Sequence, residues 1–93
     1  MQDSLENNKI KLINTLGDII KKHRISQSKS IYKISAECSM SKSTWREAEL
    51  GICKDINLST LWKISEGLNI ALADIIIELQ LELGENFSLA DLY

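Results

Sequence analysis

The chain has 93 residues, enough for one hydrophobic core and too few for two, so any function must sit on the surface of a single small domain. Hydrophobic residues make up 44% of it and charged residues 26%, which excludes an intrinsically disordered chain, and the lack of Pro with only four Gly removes the punctuation that short-stranded sandwiches and barrels need. The net charge of −2 hides two unlike halves: residues 1–54 carry ten Lys or Arg against six acids (+4) and residues 55–93 one Lys against seven (−6), so one face can hold a polyanion while the other keeps the molecule in solution.

From the N-terminus, Leu5, Ile10, Leu12, Ile13, Leu16, Ile19 and Ile20 recur at mostly three- and four-residue steps. They predict an amphipathic first helix with a Lys-rich outer face, ending near Arg24. The polar run 26–30 breaks this pattern, and Ser30 offers its hydroxyl as N-cap to a short second helix that buries Ile34 and Cys38. Ser39, Met40 and Ser41 then form a tight break. Ser41 is the expected N-cap of a third helix, which closes at Gly51, a residue suited to the left-handed conformation after a helix end. A capping box of Thr44 with Glu47 would start that helix about three residues later.

Asn57 caps a fourth helix whose apolar residues are Leu58, Leu61, Ile64 and Leu68, closed by Asn69. Between Leu72 and Leu83, the residues Leu72, Ile75, Ile76, Leu79 and Leu83 make a helical stripe, although Ile77, Leu79, Leu81 and Leu83 also alternate as in a strand; the helix is favoured. Gly84 stops this element, and Ser88 with Asp91 can cap one last turn. The expected fold is all-α, a compact bundle of about five helices.

Little points to catalysis or to a bound ion. A zinc site needs more Cys or His than Cys38, Cys53 and the lone His23 supply, so no metal and no cofactor are expected. His23 falls on the polar side of the first helix without a nucleophile nearby and reads as solvated, Cys38 reads as a small core residue, and no glycine-rich loop is present to cradle a phosphate. These features argue against an enzyme and show no small-molecule ligand. No apolar run approaches the roughly 18 residues of a membrane span. With no charged-then-apolar leader and no disulfide framework, the expected compartment is the cytoplasm, with both thiols reduced.

The third helix divides into two faces. Lys42, Ser43, Arg46 and Glu47 share one side, whereas Trp45, Ala48 and Glu49 share the other. A helix that follows another after a tight turn and carries short polar and charged side chains outward fits the major groove of B-DNA, about 12 Å wide. Its N-terminal dipole favours phosphate.

The run "LGDIIKKHR…SIYKISAECSMSKSTWREAELG…NLSTLWKISEGLNI" resembles the helix-turn-helix domain of phage-repressor-like (Cro/C1, Xre type) transcriptional regulators over about residues 12–83. The likeness lies in spacing: an Arg closing the first helix, Ser-x-Ser-Thr opening the third, Glu-x-Gly ending it, and Leu-x-x-Leu-x-x-Ile with Leu-Asn-Ile in the fourth. It implies a lambda-repressor-like bundle whose second and third helices form the helix-turn-helix. Residues 1–84 would be the DNA-binding domain and 85–93 a tail that can contact a second subunit.

The resemblance further implies that Lys42, Ser43 and Glu47 contact bases, and that Ser30, Tyr32, Ser41, Thr44 and Arg46 contact phosphates. It also implies a structural ion pair between Arg24 and Glu49 and, for Trp45, a core position. The expected protein is a cytoplasmic regulator of the repressor type that binds double-stranded DNA as a homodimer, with Ile77, Leu81, Phe87, Leu89 and Leu92 available to the partner. Three positions depart from the family pattern: Ile31 replaces the usual Gln, Ser39 the usual turn Gly, and "ICKDI" lacks a Pro and is about one residue longer. The acidic second half supports an alternative, a protein-interaction module on the same fold, of the antitoxin or regulatory-adaptor kind.

Overall fold

Three of the helices begin where a side chain stands ready to accept a free backbone N–H of the first turn. In the computed structural model, which describes residues 2–90 and side chains from Glu6 onward, the chain forms α1 (Gln2–Ser26), α2 (Ile31–Glu37), α3 (Lys42–Leu50), α4 (Leu58–Leu68) and α5 (Leu72–Leu83). Ser30, Ser41 and Asn57 cap α2, α3 and α4 by accepting from the N–H groups of Lys33, Thr44 and Thr60. This places the start of α3 at Lys42, and the later start through a Thr44–Glu47 capping box is not used. Gly51 (φ 68) and Asn69 (φ 55) close α3 and α4 in the left-handed region.

The fold is all-α, with no strand among the described residues, so the alternation in 77–83 belongs to α5. That alternation arises because α5 is apolar on more than one side, with Ile75 and Leu79 buried and Ile77 and Leu81 exposed. Residues 84–90 form no further helix; Ser88 Oγ accepts from the N–H of Ala90, 3.1 Å away. Asp91, the expected capping partner, and Leu92 lie outside the described residues, as does the Leu5 side chain.

One core serves the whole molecule. Leu16, Ile19 and Ile20 of α1 meet Ile34 of α2, Trp45 and Ala48 of α3, Leu61, Ile64 and Leu68 of α4, and Ile75 and Leu79 of α5. The long helix α1 is the spine, packing against α3, α4 and α5, while α2 bridges α3 and α4. At the α1–α3 crossing stands Gly17, where an added Cβ would come within 2.6 Å of the Ala48 carbonyl oxygen. Only a hydrogen in that place lets the two backbones approach so closely.

Helix α1 ends close to Arg24, as its spacing predicts, and two apolar residues of α1 and α4 stand open to solvent. Helix α1 runs on to Ser26 because its last turn is held by the Ser26 hydroxyl donating to the His23 carbonyl. Ile10 and Leu58 sit on apolar stripes, yet are 57% and 65% exposed.

Candidate nucleic-acid interface

The turn between α2 and α3 is built from short polar residues that hydrogen-bond back onto the helices. Met40 N–H donates to the Ser35 carbonyl (2.9 Å), and Ser39 takes φ 59. The left-handed conformation at a non-glycine residue costs roughly 1–2 kcal/mol, so the departure from Gly at this position is met by strain. Ser35 is buried and its hydroxyl donates to the Ile31 carbonyl at 2.7 Å, which lets a polar side chain face the core without loss.

The rear of α3 is fixed by a charged cluster. Trp45 is fully buried, and its indole N–H donates to Glu49 Oε2 at 2.6 Å. Arg24 grips the same carboxylate with two bonds, Nε to Oε2 at 2.5 Å and Nη2 to Oε1 at 3.0 Å, and donates from Nη1 to the Lys29 carbonyl at 2.8 Å. The expected Arg24–Glu49 pair is therefore formed. It joins the end of α1, the segment entering α2 and the back of α3, and hydrogen bonding to Glu49 raises the Arg24 pKa above its usual value. Gln27 adds a link that the sequence reading missed, donating from Nε2 to the Leu68 carbonyl at the end of α4 (2.6 Å).

The front of α3 is open. Lys42, Ser43, Arg46 and Glu47 are all exposed, and among the described residues none of their charges is in an ion pair. Other bases of the N-terminal half are engaged within the molecule: Lys9 with Asp55, Lys22 with Glu78, Arg24 with Glu49 and Lys29 with Glu37. The ammonium of Lys42 rests 5.3 Å from the centre of the Tyr32 ring, which sets the N-terminal ends of α2 and α3 side by side.

Hydroxyls complete this surface. Ser41 Oγ accepts from the Thr44 N–H (3.1 Å) and donates to Thr44 Oγ1 (2.7 Å), so the Thr44 hydroxyl hydrogen remains free to point outward. Ser30 Oγ accepts from the Lys33 N–H (3.1 Å) and likewise keeps its own hydrogen. All eight residues expected at base or phosphate positions are thus exposed at or near the α2 and α3 N-termini, and all can donate to an anion except Glu47.

His23 is not the solvated residue expected from sequence. It is half-buried, with Nε2 2.7 Å from Glu78 Oε1, and Lys22 bonds the other oxygen of that carboxylate. These bonds, that from Lys22 first, hold the Glu78 pKa below its ordinary value. Both cysteines are free, and burial pushes both thiols up. Among the described residues no cluster of His, Cys, Asp and Glu could hold a metal ion, and no helix is long and apolar enough to cross a membrane. Comparisons with family models, with curated proteins and with solved structures find no match to this chain.

Proposed function

We propose that the protein is a sequence-specific regulator of the phage-repressor-like (Cro/C1, Xre) type that binds double-stranded DNA by inserting α3 into the major groove. The observation that carries this reading is the contrast between the two faces of α3. Its rear is immobilised by Trp45 and the Arg24–Glu49 pair, while Lys42, Ser43, Arg46 and Glu47 stand exposed and unpaired on the front. A rigid helix with free donors costs little further ordering on binding.

Roles follow from chemistry. Lys42 donates to guanine O6 or N7, Ser43 donates or accepts, and Glu47 accepts from cytosine N4, each pairing worth about 1–3 kcal/mol of discrimination. Arg46 and the hydroxyls of Ser30, Tyr32, Ser41 and Thr44 bind phosphates and set the register. Lys42 leaves the Tyr32 ring to reach a base, and the Tyr32 hydroxyl donates to a phosphate.

Selection of duplexes from a random pool, followed by binding with variants, tests the proposal. Lys42→Ala and Ser43→Ala are expected to change the selected base at one or two positions, whereas Arg46→Ala weakens binding to all duplexes alike. If all three variants bind every duplex as the parent does, with the same affinity and the same base preference, the placement of α3 in the groove is overturned. The alternative of a protein-interaction module draws on the exposed apolar residues of α4 and α5, and predicts that no duplex is enriched at all.

A further inference from the structure

Helix α3 has three apolar residues, and the core accounts for two of them. Trp45 and Ala48 are buried at the rear, whereas Leu50, in the last turn, is 53% exposed. Leu50 follows Arg46 by four residues and Glu47 by three, so it stands one turn beyond the gap between them, in the middle of the face that also carries Lys42 and Ser43. The helix end does not require a leucine there. It is closed by Gly51 in the left-handed conformation and by the Ile52 N–H donating to the Glu47 carbonyl at 3.2 Å.

We infer that Leu50 is a specificity-determining residue of α3 and reads the C5-methyl group of a thymine in the major groove. The inference deepens the DNA-binding reading and rests on it.

Chemistry selects the target. A leucine can neither donate to a phosphate nor bond a base edge. Pressed against the nitrogen and oxygen edges of guanine, adenine or cytosine, it would strip them of water and give no hydrogen bond in return. Among the groups that a base pair presents in the major groove, the thymine methyl is the one that gains from an apolar neighbour. Docking on that methyl also takes the exposed Leu50 surface out of water. Ile52, the next exposed apolar residue, does not compete for this role, because it lines a groove with Ile10 and Ile13 and is turned toward α1.

The rise of the helix sets where the thymine falls. Leu50 is eight residues beyond Lys42. At roughly 1.5 Å per residue this is about 12 Å along the axis, which spans at most about four base pairs at roughly 3.4 Å each. Glu47 lies between the two. The bound site is therefore expected to present, in order along the groove, the guanine of Lys42, the cytosine of Glu47 and the thymine of Leu50, the last within about four pairs of the first.

Replacing thymine by deoxyuridine removes the methyl and leaves every hydrogen-bonding group of the base pair in place. Titrations of the selected duplex with its thymines replaced one at a time therefore test the inference. At one thymine within the stated distance, the parent protein is expected to bind the deoxyuridine duplex about three- to fivefold more weakly, the effect of one buried methyl group. Leu50→Ala, with unchanged helical circular dichroism, is expected to bind the thymine duplex more weakly by a similar factor and to treat the thymine and deoxyuridine duplexes alike. The control Ile52→Ala keeps the discrimination of the parent. A parent indifferent to the methyl at every such thymine, an equal loss in Leu50→Ala, or a control that no longer discriminates overturns the inference. The two readings fail distinguishably: a random pool from which no duplex is enriched removes both, whereas an enriched duplex whose thymine methyls make no difference removes the role of Leu50 alone.

Discussion

At the scale of single residues, Glu49 and Arg24 each make three side-chain hydrogen bonds, the Glu49 carboxylate receiving the Trp45 indole N–H and two Arg24 donors in a setting where it is 4% exposed and Arg24 14%. Removing one partner of such a pair leaves a buried charge without compensation, which costs about 3–5 kcal/mol. Arg24→Ala is therefore expected to lower the urea unfolding free energy by that amount, whereas Arg24→Ala combined with Glu49→Gln loses less than the sum of the two single changes because the stranded charge is gone. Additive losses in that cycle would show that the pair is not coupled. Gly17 has the opposite character: it has no side chain to bond with, yet the carbonyl oxygens of Ala48 and Glu49 leave no room for a methyl group there.

At the scale of elements, α1 and α5 are held at one end by Glu78, which bonds both Lys22 and His23. The Glu78 pKa is lowered in the folded protein, so its contribution to stability is present above the ordinary carboxylate value of 4.5 and is lost as pH falls through the folded value. Glu78→Gln should cost under about 1 kcal/mol at pH 7 for a partly exposed pair. It should also flatten the decline in urea midpoint between about pH 5 and pH 3 relative to the parent. Parallel declines in the two proteins would exclude the carboxylate as a source of acid sensitivity.

The same elements show what was legible in advance. Helix starts at Ser30, Ser41 and Asn57 were readable because a cap acts on an N–H only three residues along, and the two faces of α3 because helical spacing is local. Arg24 and Glu49 were found through a resemblance rather than through spacing, since 25 residues separate them. His23 was misread because its partner lies 55 residues on, and Ile10 and Leu58 because periodicity marks an apolar stripe without saying whether anything covers it. The indole N–H bond between Trp45 and Glu49, by contrast, is a four-residue helical spacing that was present to be read.

At the scale of the whole molecule, a protein of net charge −2 is a poor general ligand for a polyanion, so the proposed binding to DNA requires its attraction to come from the few cations left free on one side. Lys33, Lys42 and Arg46 are exposed around α2 and α3 and absent from the ion pairs among the described residues. Three cations per protomer brought close to the duplex, whether they end on a base edge or a phosphate, make six in the homodimer expected from the sequence, which predicts that log K falls with log salt concentration at a slope of about −5. In a dimer Arg46→Ala removes two of the six, and the slope should shrink to roughly −3.5. Glu47 acts the other way, so Glu47→Gln is expected to raise affinity for random duplex while blurring the preference at one base position. Equilibrium titrations of one selected and one random duplex across a fourfold range of salt give both slopes. A parent slope near zero with undiminished specific binding would mean that base contacts alone hold the complex, and would exclude the proposed role of Lys33, Lys42 and Arg46.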